Sequence, residues 1–151
     1  MKPVIPPPDA AEATKQLTIF HAALLIGQVL FAVVAYFLVS TGHFTVPGLG
    51  YDSLFYLIIP VFLAGGIVAS FTFLSFRKKA IHEDTDPHSR INAYRSALIV
   101  SWALLEGPSF LATTVYLITG NLLYIGLAGV VILVFIYLRP TKTKTEEVLN
   151  A

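Results

Sequence analysis

Four long apolar runs, separated by short polar breaks, constrain this chain more than any other feature. They cover about residues 17–40, 54–75, 97–119 and 122–138. A helix needs roughly 20 apolar residues to cross a hydrocarbon layer about 30 Å thick. The runs approach or exceed that length and absorb over half of the 151 residues, so no separate soluble domain is expected. Only 13% of the residues are charged, where a soluble domain carries about a quarter. The predicted fold is all-α: four transmembrane helices in an up-down bundle over residues 17–138.

The flanks read as support for these spans. Residues 1–16 are expected to form a mobile tail, rich in proline (Pro3, Pro6, Pro7 and Pro8). They lack the cationic lead and the cleavage site of a signal peptide, so the first span is predicted to be retained. Asp9 is a candidate helix cap with Glu12 at capping-box distance, and Asp52 is a candidate cap for the second span. Between spans 2 and 3 lies a charged loop, Phe76 to Arg95. Within it, Asp86-Pro87 reads as an N-cap and first helical position. Gly120-Asn121 predicts a tight turn of residues that tolerate left-handed backbone. Arg139-Pro140 ends span 4, and 139–151 reads as a polar tail.

Charge predicts orientation. All ten Lys and Arg residues fall before span 1, between spans 2 and 3, or after span 4. The positive-inside rule then puts both termini and the charged loop in the cytoplasm. Tyr51, Phe55, Tyr56, Tyr116 and Tyr124 would form the outer aromatic belt, with Phe76, Tyr94 and Tyr137 the inner one. The chain has no cysteine, which excludes disulfides, iron–sulfur clusters and thiolate chemistry.

One stretch puts chemistry inside an apolar run: Trp102-Ala103-Leu104-Leu105-Glu106-Gly107-Pro108-Ser109. At 1.5 Å per residue, Glu106 lies about 14 Å beyond Ala97, near mid-membrane, and Gln28 about 16 Å beyond Leu17. Arg95, Trp102, Glu106, Ser109, Thr113, Tyr116 and Gly120 follow helical steps of three, four or seven, and so share one stripe. His21 and Gln28 share another on span 1. Turning the two stripes together spares polar groups from lipid. Hydrocarbon disfavours an ionised carboxyl, so Glu106 is expected to be protonated at neutral pH. Its hydrogen-bond acceptor would be Gln28, Ser109 or a backbone carbonyl. Pro108 leaves the Leu104 carbonyl without its usual helical donor, an opening for a proton donor or a water. The candidate polar site is therefore Glu106, Gln28, Ser109, Trp102, Thr113, Tyr116 and His21. A carboxyl so placed can carry a proton or bind a cation. It can equally be interhelical glue worth about 1–2 kcal/mol or less.

Other groups carry less. His82, Glu83, Asp84, Asp86 and His88 lack metal-ligand spacing and read as a solvated loop. The four histidines offer no facing pair for haem. Gly65 and Gly66 read as positions of close helix packing. No metal and no cofactor is expected. A slight internal repeat sets Thr41-Gly42 against Thr119-Gly120, and so Gln28 against Glu106.

The segments Tyr94 to Ile99, Ala103 to Pro108, Thr119 to Asn121 and Arg139-Pro140-Thr141 resemble small uncharacterised four-helix bacterial membrane proteins. That resemblance implies a multi-pass protein of the cell inner membrane and no particular activity. Spans 2 and 3, with a glycine-containing helix, a basic loop and a mid-helix Glu, are also similar to the proteolipid (c subunit) hairpin of rotary ATPases. That likeness implies an ion-carrying Glu106. The chain departs from it in lacking alternating glycines on span 2 and an Arg-Gln-Pro loop, and in having two further helices. Two functions follow as expectations. The first is a non-enzymatic inner-membrane subunit or homo-oligomer, embedded in the lipid bilayer without nucleic acid, with Glu106 as its polar anchor. The alternative is a proton- or cation-translocating subunit with Glu106 as carrier.

Overall fold

A computed structural model describes residues 10–42, 52–84 and 86–150. It is a helical bundle: α1 Ala10–Ser40, α2 Asp52–His82, α3 Pro87–Thr119, α4 Leu122–Tyr137 and α5 Lys142–Asn150. The Pro-rich stretch 1–9, Asp9 as a cap, Tyr51 and most of the first inter-helix loop lie outside the described residues.

Three boundaries differ from expectation. Residues 10–16 are the first turns of α1 and not part of a tail. The charged loop is shorter than expected at both ends, because α2 continues through its basic run to His82 and α3 begins at Pro87. The polar tail folds as α5, with Thr145 fully buried and Thr14 Oγ1 donating to its hydroxyl at 2.9 Å. Apolar periodicity locates spans but is silent about helix that leaves the apolar layer. Lys, Glu and Thr continue a helix wherever no Gly or Pro stops it.

The stops themselves follow local chemistry. Asp86 is extended (φ −92°, ψ 117°), and its carboxylate accepts from the backbone N–H groups of His88 and Ser89, with Pro87 at the first helical position. Gly120 closes α3 at φ 69°, its N–H donating to the Tyr116 carbonyl at 2.7 Å. Asn121 does not share the left-handed backbone. At φ −80° it caps α4, accepting from the Leu123 N–H at 3.0 Å.

α3 is the central helix. Half of its most apolar window is buried, against 11% for α1 and 17% for α2. It packs on α1, α2, α4 and α5, whereas α1 and α2 do not pack together among the described residues. Phe20 lies on Trp102, Phe31 on Phe110 and Tyr36 on Tyr116, so α1 and α3 run parallel with a register that holds to within one turn. α2 runs antiparallel to α3. Their closest approach is Gly66, where an added Cβ would stand 2.6 Å from Pro108 Cγ and 2.7 Å from the Leu104 carbonyl oxygen. Gly65 meets nothing within 4 Å, so the pair of glycines serves packing at one position only. One turn along, the buried hydroxyls of Ser70 and Ser101 share a 2.6 Å hydrogen bond.

Three helices are long and apolar enough to cross a membrane: Ala11–Ser40, Leu54–His82 and Pro87–Thr119. α4 has 16 residues, which spans only about 24 Å. Large apolar side chains cover the outside of the bundle, among them Leu57, Val61, Val68 and Leu133. An exposed apolar surface of this extent suits a membrane-embedded bundle.

Candidate functional site

The candidate residues separate into three levels along α3. At the end of the bundle that carries α5, His21 and Trp102 meet the carbonyl terminus of α4. His21 Nε2 donates to the Phe135 carbonyl at 2.9 Å, and the acceptor-only carbonyl fixes the proton on that nitrogen. The His21 ring stacks on the Phe135 ring at 4.5 Å and meets Trp102 edge-on at 5.0 Å. Trp102 Nε1 donates to the Leu138 carbonyl at 3.3 Å. A helix end leaves its last carbonyls unpaired. Here side-chain donors from α1 and α3 reach two of the terminal carbonyls, that of Phe135 also accepting from the Leu138 N–H at 3.1 Å. Trp102 is therefore a hydrogen-bonded cap as well as part of the core, and His21 is buried beside it.

The middle level holds Gln28, Glu106, Ser109 and Thr113. Gln28, Ser109 and Thr113 are buried. Thr113 Oγ1 returns to the Ser109 carbonyl at 2.9 Å, which satisfies it within its own helix. The register of α1 on α3 sets Gln28 level with Pro108 and Ser109, within a turn of Glu106. The expected hydrogen bond from Glu106 to Gln28, Ser109 or a carbonyl is not made. Neither amide atom of Gln28 has a partner among the described residues, and none is found there for the Glu106 carboxyl.

Glu106 itself is only half-buried. It stands one helical step from the exposed stripe of α3, which runs through Ile99, Ala103, Gly107 and Leu111. This stripe faces outward between α1 and α2. On its α2 side it opens into an apolar groove of about 540 Å³, lined by Gly65, Gly66, Ala69, Ala103, Gly107 and Pro108 among others. The Leu104 carbonyl freed by Pro108 does not border a polar space. It faces the Gly66 position of α2, where an added Cβ would stand 2.7 Å from it.

The third level is aromatic. Tyr116 is buried under Tyr36, with rings 6.4 Å apart and 12° from parallel. Tyr56 and Phe55 pack on Tyr124, and Asn121 Nδ2 donates to the Tyr56 hydroxyl at 2.6 Å. Burial corrects three of the expected belt positions: Tyr94 of the inner belt and Tyr116 and Tyr124 of the outer one are buried in the bundle, whereas Phe76 and Tyr137 are exposed. Two features escaped sequence reasoning. Ser70 and Ser101 are ordinary small residues in an apolar run, and the cap on α4 joins residues distant in the chain.

The unpartnered Gln28 gives a direct prediction. A buried donor or acceptor without a partner costs about 1–3 kcal/mol. Gln28→Met, of similar volume, is expected to raise stability by about that amount in equilibrium unfolding. A loss of stability would show that the amide is paired in the folded protein.

No family model, no curated protein and no solved structure matches this chain.

Proposed function

We propose that the chain is a multi-pass membrane protein that acts by assembling with a second copy of itself across the exposed stripe of α3. In this reading all four apolar helices cross the bilayer of a bacterial inner membrane. The described termini, the facing ends of α2 and α3 at His82 and Pro87, and the basic residues face the cytoplasm, as the distribution of Lys and Arg favours. The 16-residue α4 covers only about 24 Å, a mismatch that local thinning of the layer accommodates, and His21 and Trp102 cap its carbonyl end.

One observation carries the proposal: a half-buried carboxyl at mid-helix, without a partner among the described residues, beside the small Ala103 and Gly107 of the exposed stripe. A polar group facing hydrocarbon alone costs several kcal/mol. A protonated carboxyl is both donor and acceptor, so it complements a copy of itself about a two-fold axis. Ala103 and Gly107 on the same stripe let two α3 backbones approach, as small residues do in membranes. No cationic side chain lies at that level of the sequence to serve as an internal partner. The lack of a polar chain leading from Glu106 weighs against the carrier reading. Thr113 is satisfied by its own helix, and the Leu104 carbonyl is covered by α2.

The full-length protein in lipid nanodiscs is expected to be a dimer by subunit counting. Glu106→Ala should weaken dimerisation about tenfold, the effect of one lost hydrogen bond in hydrocarbon. Glu106→Gln should retain it, because an amide also donates and accepts. Gly107→Leu should give monomers. A monomeric wild type, or dimers indifferent to all three changes, overturns the assembly reading. Proton or cation flux in vesicles that disappears in Glu106→Gln would establish the carrier reading in its place.

A further inference from the structure

Beyond the α3 stripe, the end of the bundle that carries α5 holds a second feature, a cavity of about 220 Å³ where α2, α3, the end of α4 and α5 converge. Three of its lining residues are cationic and come from separate elements: Lys78 from α2, Arg139 from the turn after α4 and Lys144 from α5. Ser75 adds a hydroxyl, and no carboxylate lines the cavity. The one salt bridge among the described residues, Lys142 with Glu146, leaves all three cations out. The floor is apolar. Phe71 and Leu74 on α2 and Leu98 on α3 continue the cavity away from the basic end and along the bundle. Three unpaired cations and a hydroxyl around a small space suit a phosphate group. The attached apolar wall suits an acyl chain rather than a free anion.

From this geometry we infer a binding site for an anionic phospholipid, with the headgroup phosphate held by Lys78, Arg139 and Lys144 and an acyl chain lying on Phe71, Leu74 and Leu98. Arg139 offers a planar fork that takes two phosphate oxygens at once, while the two lysines act as mobile point charges. Basic pockets between helices at a cytoplasmic boundary bind such headgroups for this reason. Lys144 also stands 5.9 Å from the centre of the Tyr137 ring, which holds its ammonium near the cavity mouth. α5 then has a role in the assembly. It brings a third cation that the apolar spans do not supply, and lipid binding would fix α5 against α2 and α3. The inference rests on the membrane reading, but not on self-association through Glu106.

The test uses the full chain in neutral detergent, titrated with phosphatidylglycerol and followed by native mass spectrometry. Phosphatidylcholine and inorganic phosphate serve as comparison ligands. Phosphatidylglycerol is expected to bind in preference to both. Each of Lys78→Gln, Arg139→Gln and Lys144→Gln should weaken it about fivefold, and the three together roughly a hundredfold. Lys79→Gln, on the same helix but outside the cavity, should leave binding unchanged. Helicity by circular dichroism identifies any variant that fails to fold, and the single substitutions then decide. Equal binding of the two lipids, undiminished binding in the folded variants, or equally strong binding of inorganic phosphate would overturn the site. Membrane flotation of the wild type separates the two readings. A chain that does not float with vesicles defeats the membrane reading itself. One that floats without lipid preference defeats only this site.

Discussion

Gly66→Leu is expected to separate α2 from α3 and to leave the protein largely unfolded or aggregated on purification. The Cβ alone would stand 2.6 Å from Pro108 Cγ and 2.7 Å from the Leu104 carbonyl oxygen, distances that real Cβ atoms do not adopt. One obstacle is a rigid ring and the other is backbone, so neither rotates away. Overpacking a tight contact costs about 1–3 kcal/mol for a methyl group and more for a larger side chain. Gly66→Ala should therefore cost about 1–3 kcal/mol, and Gly66→Leu should exceed that range. Lipid offers no hydrophobic gain for burying a helix face, so close packing supplies most of what holds two spans together. Gly65→Ala is the matched control. Its Cβ enters open space, and a helical Gly-to-Ala change should be neutral or stabilising by up to about 1 kcal/mol. The two variants, compared by thermal unfolding in one detergent, should differ in sign. A Gly66→Ala protein as stable as Gly65→Ala would remove the close crossing.

The two glycines also show how much was legible in the sequence. Ala64-Gly65-Gly66 announces close packing, but neighbouring glycines on a helix point 100° apart, and only the partner decides which is used. The Pro108 effect was legible in part: the ring frees the Leu104 carbonyl, as local chemistry requires. That the carbonyl then faces a glycine of α2 depends on how the helices cross. The polar stripe of α3 was readable from its spacing, and Trp102, Ser109, Thr113 and Tyr116 are buried along it. Glu106 lies at the edge of that stripe, on the border with Ala103 and Gly107. A wheel places a residue within about a helical step, and one step separates an internal anchor from an outward-facing group. The helical ends show the same division. The Asp86 cap and the Gly120 stop are local and were legible, whereas α5 packs by Thr145 on Thr14 across the whole length of the chain.

Trp102→Ala is expected to give the second large loss, about 3–5 kcal/mol, the range for removing a fully buried large aromatic. It would open a cavity between His21, Phe20 and Phe135, whose ring centres lie 5.0, 6.3 and 6.2 Å from that of Trp102. It would also release the Leu138 carbonyl at the end of α4. Trp102→Phe separates the two contributions. A ring remains in the space, but the N–H donor is gone, and the cost should fall to about 1–3 kcal/mol, that of one unpaired buried carbonyl. His21→Phe keeps the stack on Phe135 and removes the other donor, and it should cost less, because the Phe135 carbonyl still accepts from the Leu138 N–H at 3.1 Å. The two caps act on carbonyls three residues apart in one helix terminus, so the double variant should depart from additivity by roughly 0.5 kcal/mol or more. Amide hydrogen exchange gives the decisive reading. Loss of either donor should release protection in the last turn of α4 and in α5, while the crossing at Gly66 and Pro108 keeps its own. Uniform loss of protection across all helices would mean that His21 and Trp102 only fill space. Selective loss would mean that a helix too short to carry its carbonyl end clear of the apolar layer depends on side chains of α1 and α3 to end where it does.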